Sequence, residues 1–365
     1  MKVLILSEAS GRSRYWEAAL PLLKVKGIDA SFASVRSSGE IHSVLSDNGL
    51  DVFAFDSKSA RDYPRVAYRL REYLKRENVD IVQASESIQA AIAGTACLFA
   101  SGTKCLYHYH HTHVGRRQST FSWIGSRLSD RIMAVSKAAK TAAVEFDGVR
   151  EQKVSVAYNG IEPLRAVDRS EAEALRSKLE IPVGARVVVI VGRLRPEKGH
   201  RKLFEACEIV GASMAEPLHL LVVGDGSERH SLESDSAGYQ NFRTHFVGDQ
   251  QDVALWYAAG DTVTIPSFVE SFGLAAVEAM ACGKTVVASN VGGLAEIVEN
   301  EVSGLLVPPD DAPALAGAIR RVLEEPKFAA GLAENAKRRV MENFTMEAMV
   351  DGWIRCYEQT LGPTQ

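Results

Sequence analysis

Two successive α/β units, each a parallel sheet covered by helices on both faces, are what this sequence predicts. Three observations predict it. Apolar runs of strand length alternate with helical patterns along the whole chain. Those runs are apolar nearly throughout, as in strands buried on both faces. And 365 residues exceed what one core comfortably serves, while a charged, proline-bearing stretch at 161–185 breaks the pattern near the middle.

The first strand is the run Val3-Leu4-Ile5-Leu6 with its flanks (3–7). It is too short, and lacks the small-residue cleavage site, for a secretory signal. Further strands follow at 29–33, 52–55, 81–84, 105–110, 132–135 and 154–157, with helices at 13–26, 63–76 and 137–146 between them. The longest mainly apolar stretch, 90–100, falls short of the about 20 residues a membrane span requires. The seam at 161–185 carries Pro163, Pro182 and Gly184 and reads as a linker with a short helix. A second series then starts on Val187-Val188-Val189-Ile190-Val191, with strands at 186–191, 218–223, 242–247, 262–266, 285–289 and 304–307. Helices at 199–210 and 273–281 belong to it. An amphipathic helix at 345–361 comes after that sheet is complete and is expected to pack back on the first domain. The predicted domains are therefore 1–163 with 346–365, and 164–345. Ligands are expected in the cleft between them, outside the carboxyl ends of the strands.

Composition is that of a soluble globular protein, 46% hydrophobic and 24% charged. Cys97, Cys105, Cys207, Cys282 and Cys356 are scattered without metal-type spacing and read as reduced, buried thiols of a cytoplasmic protein. The net charge of −4 divides into +6 over residues 1–160 and −10 over the remainder. A basic first half suits an anionic acceptor or an anionic membrane surface; uneven surface charge is the plainer explanation.

Two constellations carry chemistry. From Pro266 to Gly283 a strand ends, a loop carries Glu270, and a helix starts near Gly273 with Glu278 inside it. Backbone amides of Ser271, Phe272, Gly273 and Leu274 would face an anion at that helix start. Carboxylates at 270 and 278 suit pairs of sugar hydroxyls, since each oxygen accepts a hydrogen bond. In the second constellation, the strand ending at Val191 delivers Gly192 and then Arg193 and Lys198. Arginine grips phosphate oxygens in bidentate fashion and lysine adds a movable point charge. A departing diphosphate gains negative charge, which such cations stabilise. No acidic pair of divalent-metal type stands nearby, so no metal and no cofactor is expected.

Glu270 and Glu278 form E-x7-E, and Gly192-Arg193 with Glu197-Lys198-Gly199 forms G-R-x-x-x-E-K-G. Together they resemble the retaining glycosyltransferases of family four, the group 1 transferases of GT-B fold. Ala134-Val135-Ser136, Tyr158-Asn159-Gly160, Val222-Val223-Gly224-Asp225-Gly226, Phe246-Val247-Gly248 and Gly292-Gly293 extend the likeness, which is dense from Ser129 to Asp310. The resemblance implies two Rossmann-like domains facing across a cleft. It implies that Arg193 and Lys198 hold the diphosphate of a nucleotide-sugar co-substrate, Glu278 the ribose and Glu270 the transferred sugar. It implies too that a hexose passes with retention to a glycan, lipid-linked or small-molecule acceptor. The run from Gly102 to His110 fits the family's G-x7-H, which places His110 near the donor sugar. The first loop departs from the family's paired glycine. In Ser10-Gly11-Arg12-Ser13-Arg14, Gly11 alone permits close approach to a phosphate, and Arg12 and Arg14 are candidates for an anionic acceptor.

Four histidines (His108, His110, His111, His113) crowd six residues. Strand alternation puts His108 and His110 on one face, as a metal chelate or as a polar lining for sugar or acceptor. The helix at 63–76, rich in arginine, is either a surface helix with its apolar stripe on the sheet or a contact for an anionic membrane. Nucleic acid is not an expected partner. Three rival functions share some of these features: a nucleotide-sugar epimerase of the same architecture, a non-catalytic nucleotide-sugar-binding subunit, and a dinucleotide oxidoreductase. The last is disfavoured because Gly224-Asp225-Gly226 lacks a third glycine.

Overall fold

In a computed structural model, which describes residues 1–100, 102–112, 120–215 and 217–362, the chain divides into two compact units. One is Met1–Glu162 with Met346–Gln365, the other Pro163–Thr345. The first is built on β1 (Lys2–Ser7), β2 (Asp29–Ser34), β3 (Asp51–Ala54), β4 (Ile81–Ala84), β5 (Lys104–Tyr109), β6 (Arg131–Ala134) and β7 (Val154–Val156). These pair in parallel in the order β3-β2-β1-β4-β5-β6-β7. Strand order reverses between β1 and β4, so the loops after these strands diverge there.

The amphipathic C-terminal helix, Met346–Leu361, packs on this first sheet. It buries Met349, Val350, Trp353 and Tyr357 in one core with Val3, Ile5, Trp16, Leu20 and Phe32. Trp353 is fully buried, 5.8 Å from Trp16 and 5.5 Å from His108 between ring centroids. Truncating such a side chain costs about 3–5 kcal/mol, so this helix is part of the unit's stability.

A long apolar stretch of the sequence becomes the helix Ser87–Cys97, which lies against Thr120–Leu128. Small residues allow the approach: a Cβ on Gly94 would stand 2.5 Å from Leu128 Cβ, and one on Gly125 2.8 Å from Ala90 Cβ. The helix Tyr63–Glu77 turns Val66, Ala67, Leu70 and Leu74 inward and leaves Arg65, Tyr68, Lys75 and Arg76 exposed. Its apolar stripe is spent on the protein's own core.

The second unit holds β8 (Val187–Val191), β9 (Leu218–Val223), β10 (Phe242–Gly248), β11 (Thr262–Ile265), β12 (Val286–Ser289) and β13 (Leu305–Val307). All pair in parallel, in the order β10-β9-β8-β11-β12-β13. Here the reversal lies between β8 and β11. The stretch 161–185 carries the short helix expected of it. Its helix Arg169–Lys178 packs within the second unit, tied by Arg165 to Asp252 at 2.7 Å and by Arg176 to Asp261 at 3.0 Å. Of the cysteines, all free, Cys97 and Cys282 are only half-buried, less than expected. No helix among the described residues is long and apolar enough to cross a membrane.

Candidate active site

The second unit's two constellations meet at the reversal point of its sheet. β8 ends in Gly192 at φ 155, a conformation that L side chains rarely adopt. Against this turn lies the one after β9. A Cβ on Gly224 would fall 2.1 Å from Gly192 O, and one on Gly226 2.4 Å from Leu194 O. Leu194 N donates to Asp225 O at 2.9 Å, and Gly192 N to Val223 O at 2.9 Å. The glycines of Gly224-Asp225-Gly226 therefore serve backbone-on-backbone packing that holds the Arg193 turn.

Beyond that turn, Pro196–Lys198 forms a single 3-10 turn and the helix His200–Gly211 begins. Gly199, at φ 72, lies so close to the next loop that a Cβ would meet Pro266 O at 2.0 Å. Phe268 N donates to Glu197 O at 2.8 Å, pinning the two loops together. Glu270 is backed by Gly292 and Gly293: Gly293 N donates to its carbonyl at 3.0 Å, and a Cβ on Gly292 would meet the same oxygen at 2.0 Å. The consequence is a direct ion pair. Lys198 Nζ donates to Glu270 Oε2 at 2.6 Å, with both side chains mostly buried.

The helix Leu274–Ala281 starts from Gly273, at φ 115. Gly273 O receives the Ala276 and Val277 amides, so Ser271, Phe272, Gly273 and Leu274 occupy the approach to that N-terminus. Along the helix Ala276, Val277, Ala279 and Met280 are buried, whereas Glu278 is half-exposed. Tyr257, on the neighbouring helix Val253–Ala259, donates its hydroxyl to Glu278 Oε2 at 2.9 Å. Burial first, and the Glu278 charge second, push the Tyr257 phenol well above its ordinary range, so it stays a donor. Arg193 is exposed, and among the described residues no carboxylate lies within ion-pair distance of it.

The sites expected in the first unit stand at the carboxyl edge of its own sheet. β5 stops at Tyr109, so His110 lies just past the strand rather than inside it. The His108 and His110 rings share one face, 4.1 Å apart, while Tyr107 and Tyr109 face the other way. Burial pushes the His110 imidazole down to about 4. His113 lies outside the described residues. Among the described residues no three His, Cys, Asp or Glu side chains are arranged to hold a metal ion. At Gly11 a Cβ would meet nothing within 4 Å, so the local backbone does not itself demand glycine. Arg12 is committed to Glu17 at 2.7 Å.

Two family models match this chain. Residues 11–165 match the one described as Glycosyltransferase Family 4, and residues 171–339 the one described as Glycosyl transferases group 1. A protein of Methanocaldococcus jannaschii described only as an uncharacterized glycosyltransferase is 31% identical over 268 residues, 68% of this chain and 67% of that one. The chain belongs to the group 1 glycosyltransferases of family 4. A D-inositol 3-phosphate glycosyltransferase of Salinispora arenicola is 33% identical over 64% of this chain, a match spanning 55% of that relative's length. Among solved structures, Anabaena HepE in complex with UDP-glucose superposes with a TM-score of 0.82 at 26% identity, covering 98% of this chain and 99% of that one. WaaG, a glycosyltransferase involved in lipopolysaccharide biosynthesis, shares the fold at a TM-score of 0.72 and 17% identity. The fold is thus GT-B.

For this family 4 glycosyltransferase, Tyr257 is the residue that sequence reasoning missed. Nothing near Glu278 in the chain points to it; helix packing alone brings the two together.

Proposed function

We propose that this glycosyltransferase moves a hexose-type sugar from a nucleoside diphosphate to an acceptor hydroxyl with retained anomeric configuration, using side-chain cations where other transferases use a metal. The observation that carries this reading is the Lys198–Glu270 ion pair at the reversal point of the second sheet. One pair sets a phosphate-binding cation beside a carboxylate suited to sugar hydroxyls. Arg193 and Lys198 hold the diphosphate, aided by amides at residues 271–274. Glu278, oriented by Tyr257, takes the ribose hydroxyls. Glu270 holds the transferred sugar. His110, neutral at pH 7, and Gly11 are the first unit's own candidates for ligand contact, at the carboxyl edge of its sheet.

As the bond from the anomeric carbon to its phosphate oxygen breaks, negative charge builds on the diphosphate against Arg193 and Lys198. The acceptor oxygen bonds to the same carbon from the same side, and its proton passes to the departing phosphate. HepE was crystallised with UDP and with UDP-glucose, which supports a uridine diphosphate sugar as the first donor to try. The acceptor class is a glycan, a lipid-linked molecule or a small molecule. The inositol-phosphate relatives favour including phosphorylated small alcohols.

The test is transfer in excess EDTA with a panel of UDP-, GDP- and ADP-sugars. Turnover that persists supports the reading; collapse under EDTA with rescue by manganese overturns it. Conversion of the nucleotide sugar without any acceptor would favour an epimerase instead.

A cytoplasmic protein meeting the anionic face of a membrane is a second element of this reading. Tyr68, Leu98, Phe99, Phe121 and Trp123 are exposed on the first unit. Arg71 bonds Phe99 O at 2.9 Å, and Arg127 lies 4.8 Å over the Trp123 ring. Co-sedimentation with anionic but not zwitterionic phospholipid vesicles supports it, and binding to neither, or equally to both, refutes it.

A further inference from the structure

A chain of buried polar side chains runs beneath the end of β5. Tyr357, on the C-terminal helix, donates its hydroxyl to Gln83 Oε1 at 2.5 Å. Gln83 Nε2 sits 3.4 Å from His108 Nδ1. All three side chains are fully buried. Burial holds the Tyr357 phenol well above its ordinary range, so it keeps its proton and donates it.

Hydrogen-bond polarity then decides the state of His108. Because the amide oxygen accepts from Tyr357, the amide N–H faces the imidazole and needs a lone pair there. Nδ1 therefore carries no proton. Burial disfavours the imidazolium, and a neutral ring has a single N–H, which must sit on Nε2. That atom is buried and has no hydrogen-bond partner among the described residues. Its ring lies 4.1 Å from that of His110.

We propose that Gln83 and Tyr357 are positioning residues that lock His108 as its Nε2–H tautomer, and that His108 in turn seats His110 at the carboxyl end of β5. The proposal rests on the reading of His110 as a ligand contact of the first unit. A fixed, uncharged ring behind His110 leaves the latter's lone pair available for a hydroxyl. A mobile or cationic one would not. The arrangement also makes the last helix of the chain a determinant of the site, through a fully satisfied link between Tyr357 and Gln83.

The experiment uses the full chain labelled with 15N-histidine, with His108 assigned by the resonances lost in His108→Asn. The wild-type protein should show the Nε2–H pattern, unchanged between pH 7 and 5. Gln83→Glu, isosteric and as a carboxylate able only to accept, should place a proton on Nδ1 and shift the His110 resonances. Its turnover should fall tenfold or more while KM for the donor stays within twofold. Tyr357→Phe should lower turnover less, since Gln83 remains. A wild-type Nδ1–H tautomer overturns the proposal, and that spectrum decides even where a variant fails to fold. So does a Gln83→Glu protein that gains the Nδ1 proton while His110 resonances and turnover stay as they were. If His110→Ala turns over normally, the reading of His110 falls, whereas the tautomer measurement still judges the network.

Discussion

Lys198 Nζ stands 2.6 Å from Glu270 Oε2, although 72 positions separate the two residues in the chain. Each holds the other's charge before any ligand arrives. On the proposed reading, an incoming diphosphate competes with Glu270 for the lysine. Replacing Glu270 with Gln keeps the shape and releases the cation. Glu270→Gln is expected to bind UDP at least as tightly as the parent, while transfer slows tenfold or more. Calorimetric titration with UDP beside a turnover assay checks both, and weakened UDP binding would contradict the arrangement.

On the same reading, Tyr257 acts one step back from the ligand, through Glu278. Its hydroxyl bond to Glu278 is a charge-assisted one in a part-buried setting. Tyr257→Phe deletes one donor and little else, so donor binding should weaken by about 1 kcal/mol, roughly five- to tenfold in Kd. Turnover at saturating donor should barely change. An unaltered Kd would remove Glu278 from the ribose role.

Glycine matters in this protein where backbones touch. A methyl at Gly224 would strike Gly192 O at 2.1 Å from a φ of 128. Gly224→Ala is expected to cost at least about 2 kcal/mol of stability through strain and displacement of the Arg193 turn. Gly317, exposed in the helix Ala312–Glu324, has nothing within 4 Å of its would-be Cβ. Gly317→Ala should therefore stabilise by roughly 0.5–1 kcal/mol. Denaturant unfolding of both variants reads the contrast.

His200 buries both ring nitrogens without a hydrogen-bond partner among the described residues. Burial first, then Lys198 and Arg201, push its imidazole down from 6.5 to about 4. The unfolded chain therefore takes up a proton in that window before the folded one does. Stability conferred by the neutral ring is complete above about 6.5 and is lost as pH falls toward 4. The slope is at most about 1.4 kcal/mol per pH unit. His200→Leu should flatten the fall in unfolding free energy between pH 6.5 and 4 relative to the parent, and an unchanged slope would contradict this.

The strands were most legible where they are continuous apolar runs, as at Val3-Leu4-Ile5-Leu6 and Val187-Val188-Val189-Ile190-Val191, and least so in β10, which Arg243, Thr244 and His245 interrupt. The turns were legible at Gly192 and Gly273, where the backbone needs positive φ. The helix Ser87–Cys97 was not, since its faces are small and apolar all round and carry no 3.6-residue stripe. Its partner was hidden for the same reason, because Gly94 and Gly125 contribute contact by lacking side chains. Arg193, Lys198, Glu270 and Glu278 could be named from their spacing. The meeting of Lys198 with Glu270 depends on β8 pairing with β11, and the support of Glu278 by Tyr257 on a helix crossing, neither of which leaves a local mark. Likewise, four crowded histidines look alike in sequence, while Gln83 and Tyr357 distinguish His108 from His110.

The most direct measurement is turnover of Lys198→Ala with the donor saturating, alongside circular dichroism and thermal unfolding to verify the fold. If the lysine absorbs charge from the departing diphosphate, turnover falls by about 100-fold or more while the unfolding temperature stays near the parent's. A folded variant that transfers sugar at close to the parental rate would contradict the account.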